Sequence, residues 1–116
     1  MTDRTVYVSI TGLTLRRPWH VVRFYWHAIW SLRQARRSRG NFAVSVRTID
    51  GVHYTLTVWE NAASMRQFLY SGAHRHAIRA FPAIAVGKTF GFEADREPDW
   101  SEVPDLLRQH GRDYGP

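Results

Sequence analysis

Asp50-Gly51 sits between two β-rich runs, FAVSVRTI (42–49) and VHYTLTVW (52–59). A two-residue hairpin turn of the favoured hand needs positive φ at both central positions. Glycine adopts that conformation freely and aspartate better than most residues. Asp-Gly between alternating runs is therefore the strongest short-range hairpin signal. It commits the middle of the chain to an antiparallel strand pair. The flanking segments then fall into place. VYVSITGL (6–13) alternates Val6, Val8 and Ile10 against Tyr7, Ser9 and Thr11, a strand period that Gly12 is expected to end. Pro18 opens a helical stretch over 19–39, with Arg33, Arg36, Arg37 and Arg39 at the end where cations suit the helix dipole, and Gly40-Asn41 as the stop. Asn61 is placed to cap a helix running through Tyr70, Ser71-Gly72 breaks it, and a second short helix ends before Pro82. AIAVGKTFGF (83–92) reads as the last strand. The order β-α-β-β-α-β is ferredoxin-like: an α+β fold whose antiparallel sheet carries its helices on one face.

Such a sheet has a second face to cover, and here the strands carry apolar residues on both parities, Leu56 and Val58 against Trp59 for example. The economical cover is a second copy, a homodimer with sheets face to face. Residues 1–92 form the domain; 93–116 form an acidic tail. Thirteen of the sixteen basic residues but only three of the ten acids lie in residues 1–92. Ser101 is expected to cap a last short helix ended by Gly111. Trp100, Leu106 and Leu107 are expected to dock the tail on the basic first helix of the same or the partner subunit, closing a pocket.

The single lysine, Lys88, and the lack of any recognition motif disfavour nucleic acid as partner. With no cysteine, thiol nucleophiles, disulfides and Cys-based metal centres are excluded. The apolar stretch 19–32 is interrupted by His20, Arg23, His27 and Ser31, so no membrane span is expected, and neither is a leader; a cytoplasmic location is the default reading.

The stretch SGAHRHAIR (71–79) holds two histidines. On a helix, positions two apart point about 200° apart, so His74 and His76 cannot share one metal, and no metal site is expected. His74 shares a face with Ala77, Ile78 and Phe81 and is the inward member. Its imidazole suits three roles: satisfying local backbone groups, acting as a general base, or serving as axial ligand of a haem. Trp59, at a strand end, either packs in the core or lines a pocket. His27 lies inside the first helix. His53 and Tyr54 are neighbours on one strand, so one of them faces inward. Arg47 is a pocket-edge cation if its side faces the helices.

TVWENAASMRQFLYSGAH (57–74), with GLTLRRPW (12–19) and the long Trp- and Arg-rich first helix, resembles the dimeric α+β barrel superfamily. The antibiotic-biosynthesis-type monooxygenases, spheroidene monooxygenase-like proteins and a related group of uncharacterised domains carry this pattern of strand-ending Trp, polar cap, amphipathic helix and Ser-x-x-His. The resemblance spans residues 5–92. It implies a pocket between sheet and helices lined by Trp59 and His74, the candidate catalytic residues; Tyr54, Arg47, His27 and Phe68 are the candidate substrate contacts around it. It further implies a homodimer acting on an apolar or aromatic small molecule, without a cofactor, since enolates and phenolates react with oxygen once deprotonated. The alternatives are a haem protein with His74 as ligand and a non-catalytic barrel. Three positions depart from the superfamily's oxygenase and haem-degrading patterns: Thr57 stands where some members have Glu, Phe68 where several have His, and Ile78 where an axial His lies.

Overall fold

The computed structural model describes residues 5–72, 79–80 and 83–113. Strand β1 (Val6–Leu15) leads through a 3-10 turn (Pro18–His20) into helix α1 (Val21–Arg37). Strands β2 (Asn41–Ile49) and β3 (Val52–Trp59) follow, then α2 (Ala62–Leu69), β4 (Ala85–Ala94), α3 (Val103–His110) and the short β5 (Arg112–Asp113). The sheet is five-stranded in the order β2-β3-β1-β4-β5, and every pairing is antiparallel. This is the ferredoxin-like α+β arrangement. Asp50 (φ 51°) and Gly51 (φ 79°) make the hairpin turn between β2 and β3. Asn61 caps α2 by accepting a hydrogen bond from Ser64 N at 2.9 Å. The short helix expected before Pro82 lies largely outside the described residues.

Register fixes which side chains share a face. Tyr7 pairs with Trp59, Ser9 with Thr57, Thr11 with Thr55 and Leu13 with His53. All of these face α1 and α2, since Tyr7 packs with Trp59 and Phe68, and Leu13 with Phe24 of α1. The even positions Val8, Ile10 and Leu56 face the other way.

That second face departs from expectation. It is covered by the chain's own tail: Val103 and Leu107 of α3 pack on Val8, Ile10 and Leu56, with Trp100 and Leu106 beside them. The tail thus docks on the sheet's far face, away from α1, and α3 is a third helix opposite the pair on the helix face. The indole N–H of Trp100 donates to Ser45 Oγ at 3.0 Å and anchors the approach. Helix α3 starts at Val103 with Glu102 as N-cap, so Ser101 caps nothing, while Gly111 ends the helix as expected.

Gly12 is likewise no strand terminator. β1 runs through it, because a bare Cα is what lets α3 approach: a Cβ there would lie 2.6 Å from Leu107 Cδ2 and 3.0 Å from Tyr54 Cε1. Gly12→Val is expected to cost about 1–3 kcal/mol through overpacking. An unchanged urea midpoint would contradict this close approach.

Candidate functional site

Two apolar clusters hold α1 and α2 to the sheet. At one end of β1, Trp59, Phe68 and Ala35 pack with Tyr7, Val44 and Met65. At the other, Leu13, Phe24, Ile84 and Ala85 pack with Leu15 and Ala28. Between them the helix face of the sheet turns polar. Ser9 and Thr11 on β1, Thr55 and Thr57 on β3, and Thr89 on β4 form a band of hydroxyls. Helix α1 answers this pattern. Its inward positions recur at helical spacing as Phe24, Ala28, Ser31 and Ala35. Ser31 therefore lies between the alanines belonging to the two clusters, over the polar band.

The hydroxyl groups differ in how they are satisfied. Thr57 Oγ1 accepts the Trp59 indole N–H at 2.8 Å. Thr89 Oγ1 donates to the Ile10 carbonyl at 3.2 Å and lies 3.3 Å from Thr11 Oγ1. The buried hydroxyl of Ser31 has no hydrogen-bond partner among the described residues. Leaving a buried donor unmatched costs about 1–3 kcal/mol, so such a group marks a place where an external oxygen is favoured.

Of the expected site residues, the structure brings Trp59 and Phe68 together: their rings stack with centroids 5.2 Å apart, and Trp59 is fully buried. His27 is half-buried on α1. His74 lies outside the described residues. Tyr54 and Arg47 are not on this face of the sheet. They pair with each other across β2 and β3 on the α3 face, where Tyr54 packs in the Leu107 cluster and the exposed Arg47 lies 5.4 Å over the Trp100 ring. The strand period separates them from Trp59, because 54 is of opposite parity to 59 and the antiparallel register carries Arg47 with it.

Alternation gives the inward place to His53 instead. Its ring lies 4.8 Å from that of Phe24 and 5.8 Å from that of Tyr25, and Nδ1 is 2.9 Å from Thr48 Oγ1. Burial pushes its pKa below the ordinary 6.5, because desolvation penalises the imidazolium. The unfolded chain therefore binds more protons than the native one as pH falls through 6.5. The contribution of this group to stability is full above 6.5 and declines below it. Wild-type protein is expected to lose more of its urea midpoint between neutral pH and pH 5 than His53→Gln does; equal losses would contradict a lowered His53 pKa. The signal for this residue was present in the chain, since 53, 55, 57 and 59 share one parity. Ser31 carried a signal too, as the one hydroxyl on the apolar inward face of α1.

No family model and no curated protein matches this sequence. Solved structures do match. SnoaB, a cofactor-independent oxygenase from Streptomyces nogalater, superposes with a TM-score of 0.64 at 16% identity, over 80% of this chain and 95% of its own. A protein from Deinococcus radiodurans, described as of the antibiotic biosynthesis monooxygenase type, gives 0.68 at 17% identity over 80% and 96%. One from Nitrosomonas europaea, described in the same terms, gives 0.67 at 9% identity over 86% and 95%. Identities this low carry the fold alone. The chain has the fold of these antibiotic-biosynthesis-monooxygenase-like proteins.

Proposed function

We propose that this protein is a small, cofactor-independent, monooxygenase-like enzyme. Its substrate is an apolar, aromatic small molecule with one ionisable oxygen, bound between α1, α2 and the sheet. The observation that carries this reading is the orphaned Ser31 hydroxyl held over a band of threonine and serine hydroxyls between two apolar clusters. This arrangement sets apolar groups on either side of hydrogen-bonding groups, which suits flat apolar rings with an oxygen between them. Trp59 and Phe68 supply one wall. His53, whose pKa partial burial lowers, and His74 are the proposed bases. Deprotonation gives an enolate or phenolate that reduces oxygen directly; four electrons leave the substrate as a ring C–H position becomes a carbonyl, one oxygen atom of O2 becomes the carbonyl oxygen and the other leaves as water with two substrate hydrogens. The oxygenase activity stated for SnoaB supports the reaction class. A homodimer belongs to the same proposal. The haem reading rests on His74 alone, and no described residue adds to it.

Oxygen uptake with an anthrone as probe tests the proposal. Uptake that depends on protein and falls about tenfold or more in Ser31→Val and in His53→Gln is expected. Absence of uptake over a set of anthrones and naphthols would overturn it. So would activity that appears only with added haem and a Soret band.

A further inference from the structure

Helix α1 buries one side and leaves the other bare, yet the bare side is not polar. Trp19 is 71% exposed, Val22 75% and Trp26 63%, and Ile29 and Trp30 are about half exposed. Val22, Trp26, Ile29, Arg33 and Arg36 recur at helical spacing, so they form one outward stripe. Trp26 and Trp30 meet edge to face, 5.9 Å apart. Guanidinium groups lie over two of the indoles, Arg17 at 5.8 Å from Trp19 and Arg33 at 5.5 Å from Trp30.

The charge around this stripe has one sign. No acidic residue occurs between Asp3 and Asp50, while Arg16, Arg17, Arg23, Arg33, Arg36, Arg37 and Arg39 all fall there. Among the described residues, no carboxylate lies within ion-pair reach of Arg23, Arg33, Arg36 or Arg37. An open groove of about 450 Å³ runs beside the stripe, lined by Trp30, Arg33, Gln34, Arg37, Ser38 and Ser71. Gln34 Nε2 donates to the Ser71 carbonyl at 2.7 Å and closes its floor.

We infer that the outward face of α1 docks on the surface of an anionic lipid bilayer. A helix with aliphatic and indole side chains at its centre and arginines around them suits the boundary between headgroups and acyl chains. Indoles place their N–H at the headgroup level, and arginines reach out to phosphate. The groove takes one lipid phosphate between Arg33 and Arg37. A two-fold contact between copies through this face would set arginine against arginine with nothing to neutralise it. The acidic tail cannot serve within the chain, because it is folded on the opposite face of the sheet. No described helix is long and apolar enough to cross a membrane, so the helix lies on the surface.

The test is co-sedimentation of the full chain with vesicles of phosphatidylcholine, alone or mixed with phosphatidylglycerol. Binding is expected to the mixed vesicles only, and high salt should weaken it. The double variant Arg33→Glu, Arg36→Glu should bind about 30-fold more weakly or worse. Trp26→Ser should bind several-fold more weakly and show a smaller blue shift of tryptophan emission on vesicle addition, since Trp19 and Trp30 remain on this face. All of these positions are exposed, so melting temperatures should match wild type, and loss of binding then reports the surface. Equal binding of wild type and both variants would overturn the inference. So would a shift of mass in solution caused by the same variants, which would mark a contact between copies. Binding of a duplex oligonucleotide with no binding to anionic vesicles would overturn it as well.

Discussion

Removal of the tail after Ala94 is expected to lower the melting temperature by roughly 15 °C or more, or to abolish a cooperative transition altogether. The reason lies in what α3 covers. Val103 is fully buried and Leu107 nearly so, and they close over Val8, Ile10 and Leu56 on the face that no other described helix covers. Losing Val103, Leu107 and the Trp100 contact removes about 4.5–9 kcal/mol of apolar burial, at about 1.5–3 kcal/mol per side chain. A domain of this size has about 6–17 kcal/mol in all. The bared strip of Val8, Ile10, Leu56, Phe90 and Phe92 should then drive self-association. Leu107→Asp is the sharper version, since it keeps the chain length and buries a carboxylate against Ile10 and Gly12. Calorimetry on both chains decides: a melting temperature within a few degrees of wild type would mean that α3 does not hold the sheet.

Trp59→Ala is expected to cost about 3–5 kcal/mol, read as a lowered urea midpoint at unchanged slope. The residue is wholly buried, stacks on Phe68 and donates its indole N–H to Thr57 Oγ1. Truncation therefore opens a cavity, frees the Phe68 ring and leaves the Thr57 hydroxyl without its donor. Trp59→Phe separates these effects. It keeps a ring on Phe68 and should cost less than the alanine change by about 2 kcal/mol or more. A loss under about 1 kcal/mol for the alanine variant would contradict a packed role for this side chain.

How much of this was legible in the chain differs from element to element. The hairpin at Asp50-Gly51 was, because the turn needs two positive φ values that few residue pairs accept. The Asn61 cap was, because a short polar side chain before an amphipathic run has one good use. The apolar residues on both strand parities correctly announced a covered second face. They could not say whether the cover was another copy or the chain's own α3, because both present the same apolar surface. Gly12 was misread for a related reason: glycine signals a turn or a close approach with equal force, and only Leu107 lying against it tells which. His53 against Tyr54 was within reach, since counting back in twos from Trp59 decides it. Arg47 needed the strand register, which no single strand contains. The orphaned hydroxyl of Ser31 needed the packing of α1 on the sheet, where Ala28 and Ala35 bring the two clusters to either side of it.

The proposed seat of a substrate oxygen is the hydroxyl band under Ser31, and a crystal structure of the protein soaked or grown with a hydroxylated anthrone tests it. The ligand is expected between α1, α2 and the sheet, with its oxygen within hydrogen-bonding distance of Ser31 Oγ and its rings between Phe24 and the Trp59–Phe68 stack. A ligand bound instead against Tyr54 and Arg47 on the α3 face, or in the groove beside Trp30, would contradict it.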